Sequence, residues 1–567
     1  MSSFFAAQRM LWFFVVAALF VTFRFPFFER GLSLEESTAI SSGIGVLERG
    51  FPYFDIDMFT KNIAGVGHPP ILNWMLGVSF YFFGVSETAA RLPILLCSFL
   101  LLMAIGIFSY LLFRDWRISL CSLALFSIIP FSIQNSLQIQ YDGAIVSLFV
   151  FGILASAWFF LSKDHVRIVP AGLFFISSLG LFYSKPEVWL LVGFVLAASF
   201  LLMARNKKGL QRFLIVVLLM SVSGVVYIVS YRYYNTSFGH GDLTFASTGV
   251  SVTGVLFKKI TTLFQDFKTG FLWLAGSAAL LYKFLMWITF PVMLLFVAAL
   301  ARFIKSKEWH DKRLAYLLIW IFVFFVAYLV LGYGGNVYPR YYGPLVAPLV
   351  MILAYAVVSA MGNIKKVVQH LFVVGGALFL AYIFKIHQIF LPYRGDIVFS
   401  TAGWTLALWF CAAVVVVVFS WKSEKFFSVF APLCCSAVLV FSIAIFAADA
   451  RANYVFGDNF GESGYREAGE WLTARVMHED IVLSRNPIDY YFKGIFIDTY
   501  NSLMPFRDRI DEMLVDKEIT YIAIPERTLH KWDIQDQQGG RFIYEYIQKN
   551  NLVEVARFGT IIIYENR

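Results

Sequence analysis

The chain has 567 residues, 59% of them hydrophobic and 15% charged, where a soluble globular domain carries roughly 25% charged residues. Apolar runs of membrane-spanning length recur to about residue 448, which excludes an ordinary soluble fold and makes the chain an α-helical integral membrane protein. The formal charge of +9 does not mark a nucleic-acid partner, because the Lys and Arg residues gather in short clusters between the apolar runs and so set membrane topology.

The first run, about 10–27, follows Arg9 as its sole preceding charge and has no evident small-residue cleavage site, so it reads as a retained span and not a signal peptide. Further runs lie at about 90–113, 117–133, 143–161, 167–183, 187–204, 213–231, 277–301, 314–332, 343–361, 367–384, 401–421 and 428–448. The expected total is about thirteen spans. Basic clusters occupy alternate gaps: Arg114 and Arg117; Lys163 and Arg167; Arg205, Lys207, Lys208 and Arg212; Arg302, Lys305, Lys307, Lys312 and Arg313; Lys365 and Lys366; Lys422 and Lys425. All fall on one side if the N-terminus is cytoplasmic, which puts the C-terminus outside. Pro69–Gly84 is apolar but short, opens on two prolines and carries Asn73 and Trp74, so it is expected to lie on the outer surface as an interfacial helix. The first external loop then spans about residues 28–89 of a membrane domain covering 1–448.

Beyond about residue 449 the composition shifts. Tyr465–Met477 and Phe506–Lys517 carry amphipathic helical patterns, while Ile481–Ser484, Thr520–Ile524 and Glu554–Tyr564 are rich in β-branched residues. Residues 449–567 therefore read as a small extracytoplasmic α/β domain. The five cysteines, Cys97, Cys121, Cys411, Cys434 and Cys435, sit inside apolar runs with no CxxC or metal-ligand spacing, as buried packing thiols do.

The outer ends of the spans hold the chemistry-bearing residues. Glu35 and Glu36 follow the first span, and a carboxylate at a membrane edge is a functional candidate as well as an ordinary loop charge. His68 stands before Pro69-Pro70 at the start of the interfacial helix, either as a surface His beside an ordinary proline helix start or in a place that favours phosphate. Asp142, in Gln140-Tyr141-Asp142-Gly143, is either a helix cap or a functional acid in a segment with few other charges. Lys185, in Ser184-Lys185-Pro186-Glu187, pairs with Glu187, snorkels, or meets an anion. Arg340, in Tyr338-Pro339-Arg340-Tyr341, either snorkels from an aromatic belt or places a guanidinium able to fork onto phosphate in another external turn.

In this order the motifs resemble the membrane glycosyltransferases of the GT-C class, in the branch that holds protein O-mannosyltransferases and the lipid A aminoarabinose transferase. The likeness rests on Glu35-Glu36, Gly50, His68-Pro69-Pro70, the stretch from Phe83-Gly84 to Ala90-Arg91-Leu92-Pro93, Asp142, Ser184-Lys185-Pro186 and Arg340-Tyr341-Tyr342-Gly343-Pro344. Glu35 stands where the family usually has Asp, one methylene shorter. The resemblance implies the GT-C fold and transfer of a sugar, with inversion, from a polyprenyl-phosphate donor to a lipid, glycan or protein acceptor at the outer face of the cell inner membrane. By the same resemblance Glu35, Asp142 and Glu36 are the catalytic acids, and His68, Lys185, Arg340 and Tyr341 bind the donor phosphate. No cofactor is required, and a divalent cation is compatible with the residue set. A flippase for lipid-linked sugars, or a polysaccharide polymerase or ligase, would need similar outward charges. No internal repeat of the transporter kind is visible.

Overall fold

The computed structural model describes residues 2–25, 28, 32, 34–54, 63–64, 70–162, 168–203, 207–237, 288–331, 339–360, 399–449, 464–477, 479–484, 488–492, 494–498, 519–526 and 540–566. Its helices run in chain order as α1 (Ser2–Thr22), α2 (Leu34–Arg49), α3 (Ile71–Phe83), α4 (Glu87–Phe113), α5 (Trp116–Ile128), α6 (Pro130–Asn135), α7 (Ala144–Ser162), α8 (Ile168–Phe182), α9 (Trp189–Met203) and α10 (Lys207–Ser237). They continue as α11 (Phe290–Lys305), α12 (Lys312–Leu331), α13 (Gly343–Ala360), α14 (Phe399–Lys422), α15 (Glu424–Asp449), α16 (Tyr465–Thr473), α17 (Ile488–Tyr491) and α18 (Gly540–Lys549). The expected run at 367–384, the first part of the run at 277–301 and the helix expected over Phe506–Lys517 lie outside the described residues.

The chain forms two compact units, one of Met1–Pro26, Ile94–Leu137 and Tyr141–Ala450, the other of Phe27–Pro93, Gln138–Gln140 and Arg451–Arg567. The first unit is a helical bundle. Among the described residues, four helices are long and apolar enough to cross a membrane: α4, α7, Lys207–Ser230 of α10, and α13. The chain is a multi-pass membrane protein. In lipid there is little hydrophobic drive between helices, so close packing of small residues takes over. α7 meets α8 in this way: a Cβ on Gly180 would overlap the Phe149 ring, and one on Gly152 would overlap Ser177. By contrast α10 keeps a row of exposed apolar side chains, among them Leu214, Leu218, Val225 and Val229, as a lipid-facing helix does.

The apolar run expected over 117–133 is not one helix. α5 ends at Ile128, Ile129 is extended (φ −63°, ψ 124°), and Pro130 opens α6. Proline lacks an N–H and disfavours helical backbone in the residue before it, so the break falls there. The freed polar groups must be satisfied inside the protein. Arg24, fully buried just past α1, does this: Nη1 donates to Ser127 O (3.0 Å) and Phe20 O (2.9 Å), Nε to Ser136 Oγ (2.6 Å), and Nη2 to Ser132 Oγ (3.1 Å).

In the second unit α2 and α3 pack face to face, with Gly43 against Leu76 and Gly77 against Val46 leaving no room for a Cβ. A short antiparallel pair, β1 (Tyr53–Phe54) and β2 (Ile63–Ala64), follows α2 in sequence. The C-terminal part builds a five-stranded sheet from β3 (Ile481–Ser484), β4 (Ile495–Asp498), β5 (Ile519–Pro525), β6 (Val553–Phe558) and β7 (Ile561–Glu565), in the order β4-β3-β5-β7-β6. β4, β3 and β5 are parallel, and β7 joins β5 and β6 antiparallel. Along β5, Ile522 and Ile524 pack with Ile543 and Ile547 of α18, while Tyr521 and Ala523 pack with Ala468 and Leu472 of α16. Helices cover both faces, which is why these strands read as apolar runs without clean alternation. The β-rich stretch Glu554–Tyr564 is two strands joined at Gly559, whose φ of 55° suits glycine in a tight turn.

Candidate functional site

Three of the residues singled out in the sequence meet in the first unit. Asp142 precedes α7, whose first turn is set by Gly143 (φ 63°) and by the Ser147 N–H donating to Gly143 O at 3.0 Å. Lys185 follows α8, where its N–H donates to Leu181 O at 2.8 Å, and Pro186 then opens a 3₁₀ turn, Pro186–Val188. Tyr341 belongs to the 3₁₀ turn Pro339–Tyr342 that leads into α13. The turns at 143 and 343 approach closely, since a Cβ on Gly343 would meet Ser147 Oγ at 2.5 Å and Asn135 Nδ2 at 3.1 Å.

The Lys185 ammonium donates to Asp142 Oδ1, lies 3.8 Å from Glu187 Oε1, and sits 3.9 Å from the centre of the Tyr341 ring. An ammonium over an aromatic face gains from the ring quadrupole, more so where water is scarce. Asp142 is nearly buried, Lys185 keeps 17% exposure and Glu187 26%, so the cluster is sheltered but reachable. Burial alone would lower the Lys185 pKa, but Asp142, Tyr341 and Glu187 outweigh it and hold the ammonium above its ordinary value. Such an arrangement keeps a lysine charged at a protein edge, close to two carboxylates and an aromatic platform.

Glu36 belongs to the second unit and stands in a different setting from the acid expected of it. It is fully buried, and its Oε1 accepts from Arg91 Nη1 at 3.1 Å and from the Ile139 N–H at 3.0 Å. These two bonds fix the place of the Glu36 carboxylate within the second unit. Arg91, also fully buried, reaches Glu87 one turn earlier on α4 at 3.9 Å. Glu87 Oε1 in turn accepts from Arg466 Nη2 of α16 at 2.6 Å and from the Tyr491 hydroxyl of α17. Burial, then the neighbouring Glu87 carboxylate, pushes the Tyr491 hydroxyl up, and burial pushes Tyr490 to about 12.

The side chains of Glu35 and Arg340, and all of His68, lie outside the described residues; the Glu35 backbone is in the first turn of α2 and that of Arg340 in the Pro339–Tyr342 turn. Sequence reasoning did not mark Glu87, Arg466 or Tyr491. Arg91 carried a signal, in the stretch that most resembles the family, and Glu187 was visible as a partner for Lys185. Among the described residues no group of three or more His, Cys, Asp or Glu side chains could hold a metal ion.

No protein-family model matches the sequence, and no curated protein matches it. The structure is similar to that of ArnT from Cupriavidus metallidurans bound to undecaprenyl phosphate, with a TM-score of 0.59 and 13% identity over 99% of this chain and 98% of that one. It is similar also to the same protein in the apo state, with a TM-score of 0.56 and 15% identity over the same shares. An oligosaccharyltransferase of Archaeoglobus fulgidus tethered to an acceptor peptide gives a TM-score of 0.45 and 14% identity over 93% of this chain and 70% of that one. At such identities the ArnT likeness is one of fold. The chain has the fold of ArnT over almost its full length.

Proposed function

We propose that this chain is a membrane glycosyltransferase that moves a sugar from a polyprenyl-phosphate donor to a lipid, glycan or protein acceptor. The carrying observation is the Lys185 ammonium, bracketed by Asp142 and Glu187 over Tyr341, in a chain that shares almost its full length with the fold of ArnT. That ArnT structure is bound to undecaprenyl phosphate. A lipid-phosphate donor explains why such an enzyme is built in a bilayer, since the polyprenyl tail can lie between helices.

The acceptor's hydroxyl or amine attacks the anomeric carbon while its proton passes to a carboxylate, for which Glu35 is the candidate. General base catalysis of this kind contributes typically 10²–10⁴-fold. The bond from the anomeric carbon to the phosphate oxygen breaks, the configuration inverts, and polyprenyl phosphate leaves with both electrons. Charge grows on the phosphate as it leaves, so Lys185, His68 and Arg340 stabilise the transition state more than the ground state. Tyr341 supports the ammonium through its ring, and Asp142 fixes the ammonium's place. Glu36 serves as a positioning residue beside Glu35. The route needs no cofactor; a divalent cation, were one bound, would compete with the Lys185 ammonium for Asp142 and Glu187.

The topology that goes with this reading has about thirteen spans, a cytoplasmic N-terminus and an extracytoplasmic 449–567 domain, in a cell inner membrane. The test is release of polyprenyl phosphate from sugar-loaded donors by purified protein in nanodiscs, with water as acceptor of last resort. Wild type is expected to turn over, Glu35→Gln and Asp142→Asn to lose turnover while still folded. Full turnover by both variants would remove these residues from the site.

A further inference from the structure

The second unit carries a chain of alternating charge, buried at Glu36, Arg91 and Glu87 and one-third exposed at Arg466, that ties the C-terminal segment to the residue next to Glu35. Glu36 is held by Arg91, Arg91 approaches Glu87, and Glu87 is held by Arg466 and Tyr491. Two carboxylates and two guanidinium groups make the set neutral. Arg466 lies 379 residues from Glu87 in sequence, and Tyr491 lies 404 away. α16 and α17, which bring them, pack so tightly that a Cβ on Gly469 would overlap Tyr491.

We infer that Arg466 and Tyr491 are positioning residues for transfer, acting on Glu36, and through it on Glu35, by way of Glu87 and Arg91. This rests on the reading of Glu35 as the base. The physical reason is competition for one cation. Arg91 is shared between Glu36 and Glu87, and Arg466 satisfies Glu87 so that Arg91 stays on Glu36. Without Arg466, Glu87 is a nearly buried carboxylate short of its charged donor, and it draws Arg91 away from Glu36. The first turn of α2, which carries Glu35, then loses its ion pair with Arg91 and is held less firmly, with the bond from the Ile139 N–H left to carry the load. A displacement of about 1 Å at a reacting group can cost on the order of 100-fold.

The experiment compares wild type, Glu35→Gln, Arg466→Ala, Arg466→Lys and the double variant Arg466→Ala/Glu87→Gln, all full length in nanodiscs. Polyprenyl phosphate release is read as kcat and donor KM. Hydrogen exchange is read on the peptide containing Ile139, whose N–H donates to Glu36. Arg466→Ala is expected to lower kcat about 10- to 100-fold with donor KM changed less than about 3-fold, and to speed exchange at Ile139. Arg466→Lys keeps the charge and should hold most of kcat. The double variant restores neutrality, so kcat and slow exchange should largely return even though more of the network is gone. A C-terminal domain that matters only for folding predicts additive losses instead. Unchanged kcat and exchange in Arg466→Ala, or a double variant no better than the single, overturns the inference. Should wild type release no polyprenyl phosphate, the transferase reading fails, and the exchange data alone decide whether the relay holds Glu36.

Discussion

Lys185→Met removes the ammonium that Asp142 and Glu187 share, and the structure separates what this does to folding from what it does to transfer. Breaking a buried pair by removing one partner costs about 3–5 kcal/mol; here Lys185 and Glu187 keep 17% and 26% exposure, so the loss is set lower, at about 2–4 kcal/mol. The lost cation over the Tyr341 ring adds about 0.5–2 kcal/mol. Adding Asp142→Asn removes the stranded carboxylate and should return most of the lost thermal stability. Transfer behaves differently. A fixed donor facing a developing anion is worth about 10²–10³ in kcat, and no second substitution at 142 supplies a cation. Melting midpoints in detergent together with donor turnover in nanodiscs check both halves. Recovery of turnover along with stability in the double variant would refute the placement of Lys185 on the donor phosphate.

Arg24→Met leaves Ser127 O and Phe20 O without their donor at the α5–α6 break, so it should cost about 2–4 kcal/mol in thermal or denaturant unfolding. Gly180→Leu drives a side chain into the Phe149 ring and is expected to destabilise the α7–α8 pair by about 1–3 kcal/mol or more, seen as a lowered melting midpoint. For Lys185, raised above 10.5, the stabilisation is complete below that value and disappears only as pH rises beyond it.

Much of the helical plan was legible because a membrane segment must be both long and apolar, and those two properties survive in the bare sequence. α4, α7 and α13 fall within a few residues of the runs read for them. The α5–α6 break was missed although Pro130 was in view. Composition treats Ile128, Ile129 and Phe131 as one apolar run, while the backbone answers to the missing N–H. The strands at Ile481–Ser484 and Ile519–Pro525 were readable from β-branched residues; Ile495–Asp498 is four residues long and sits in an aromatic stretch with no period. Asp142, Lys185 and Tyr341 stand out in the sequence as candidates because they are charges and a ring at the ends of apolar runs. Their meeting in space, with Glu187 as a fourth member, depends on helix packing that no local pattern encodes. Arg466 and Tyr491 gave no signal, since an amphipathic helix in a polar segment carries Arg and Tyr on its surface as a matter of course. Only the fold shows that they face a carboxylate from the other end of the chain.

The most direct test of the account is mass spectrometry of a sugar-loaded polyprenyl phosphate incubated with the wild-type protein in nanodiscs. The account predicts that the loaded donor disappears as free polyprenyl phosphate appears in equal amount, and that Glu35→Gln stops both. A donor that crosses between leaflets intact, with no polyprenyl phosphate formed, would contradict it and make the chain a carrier of lipid-linked sugars.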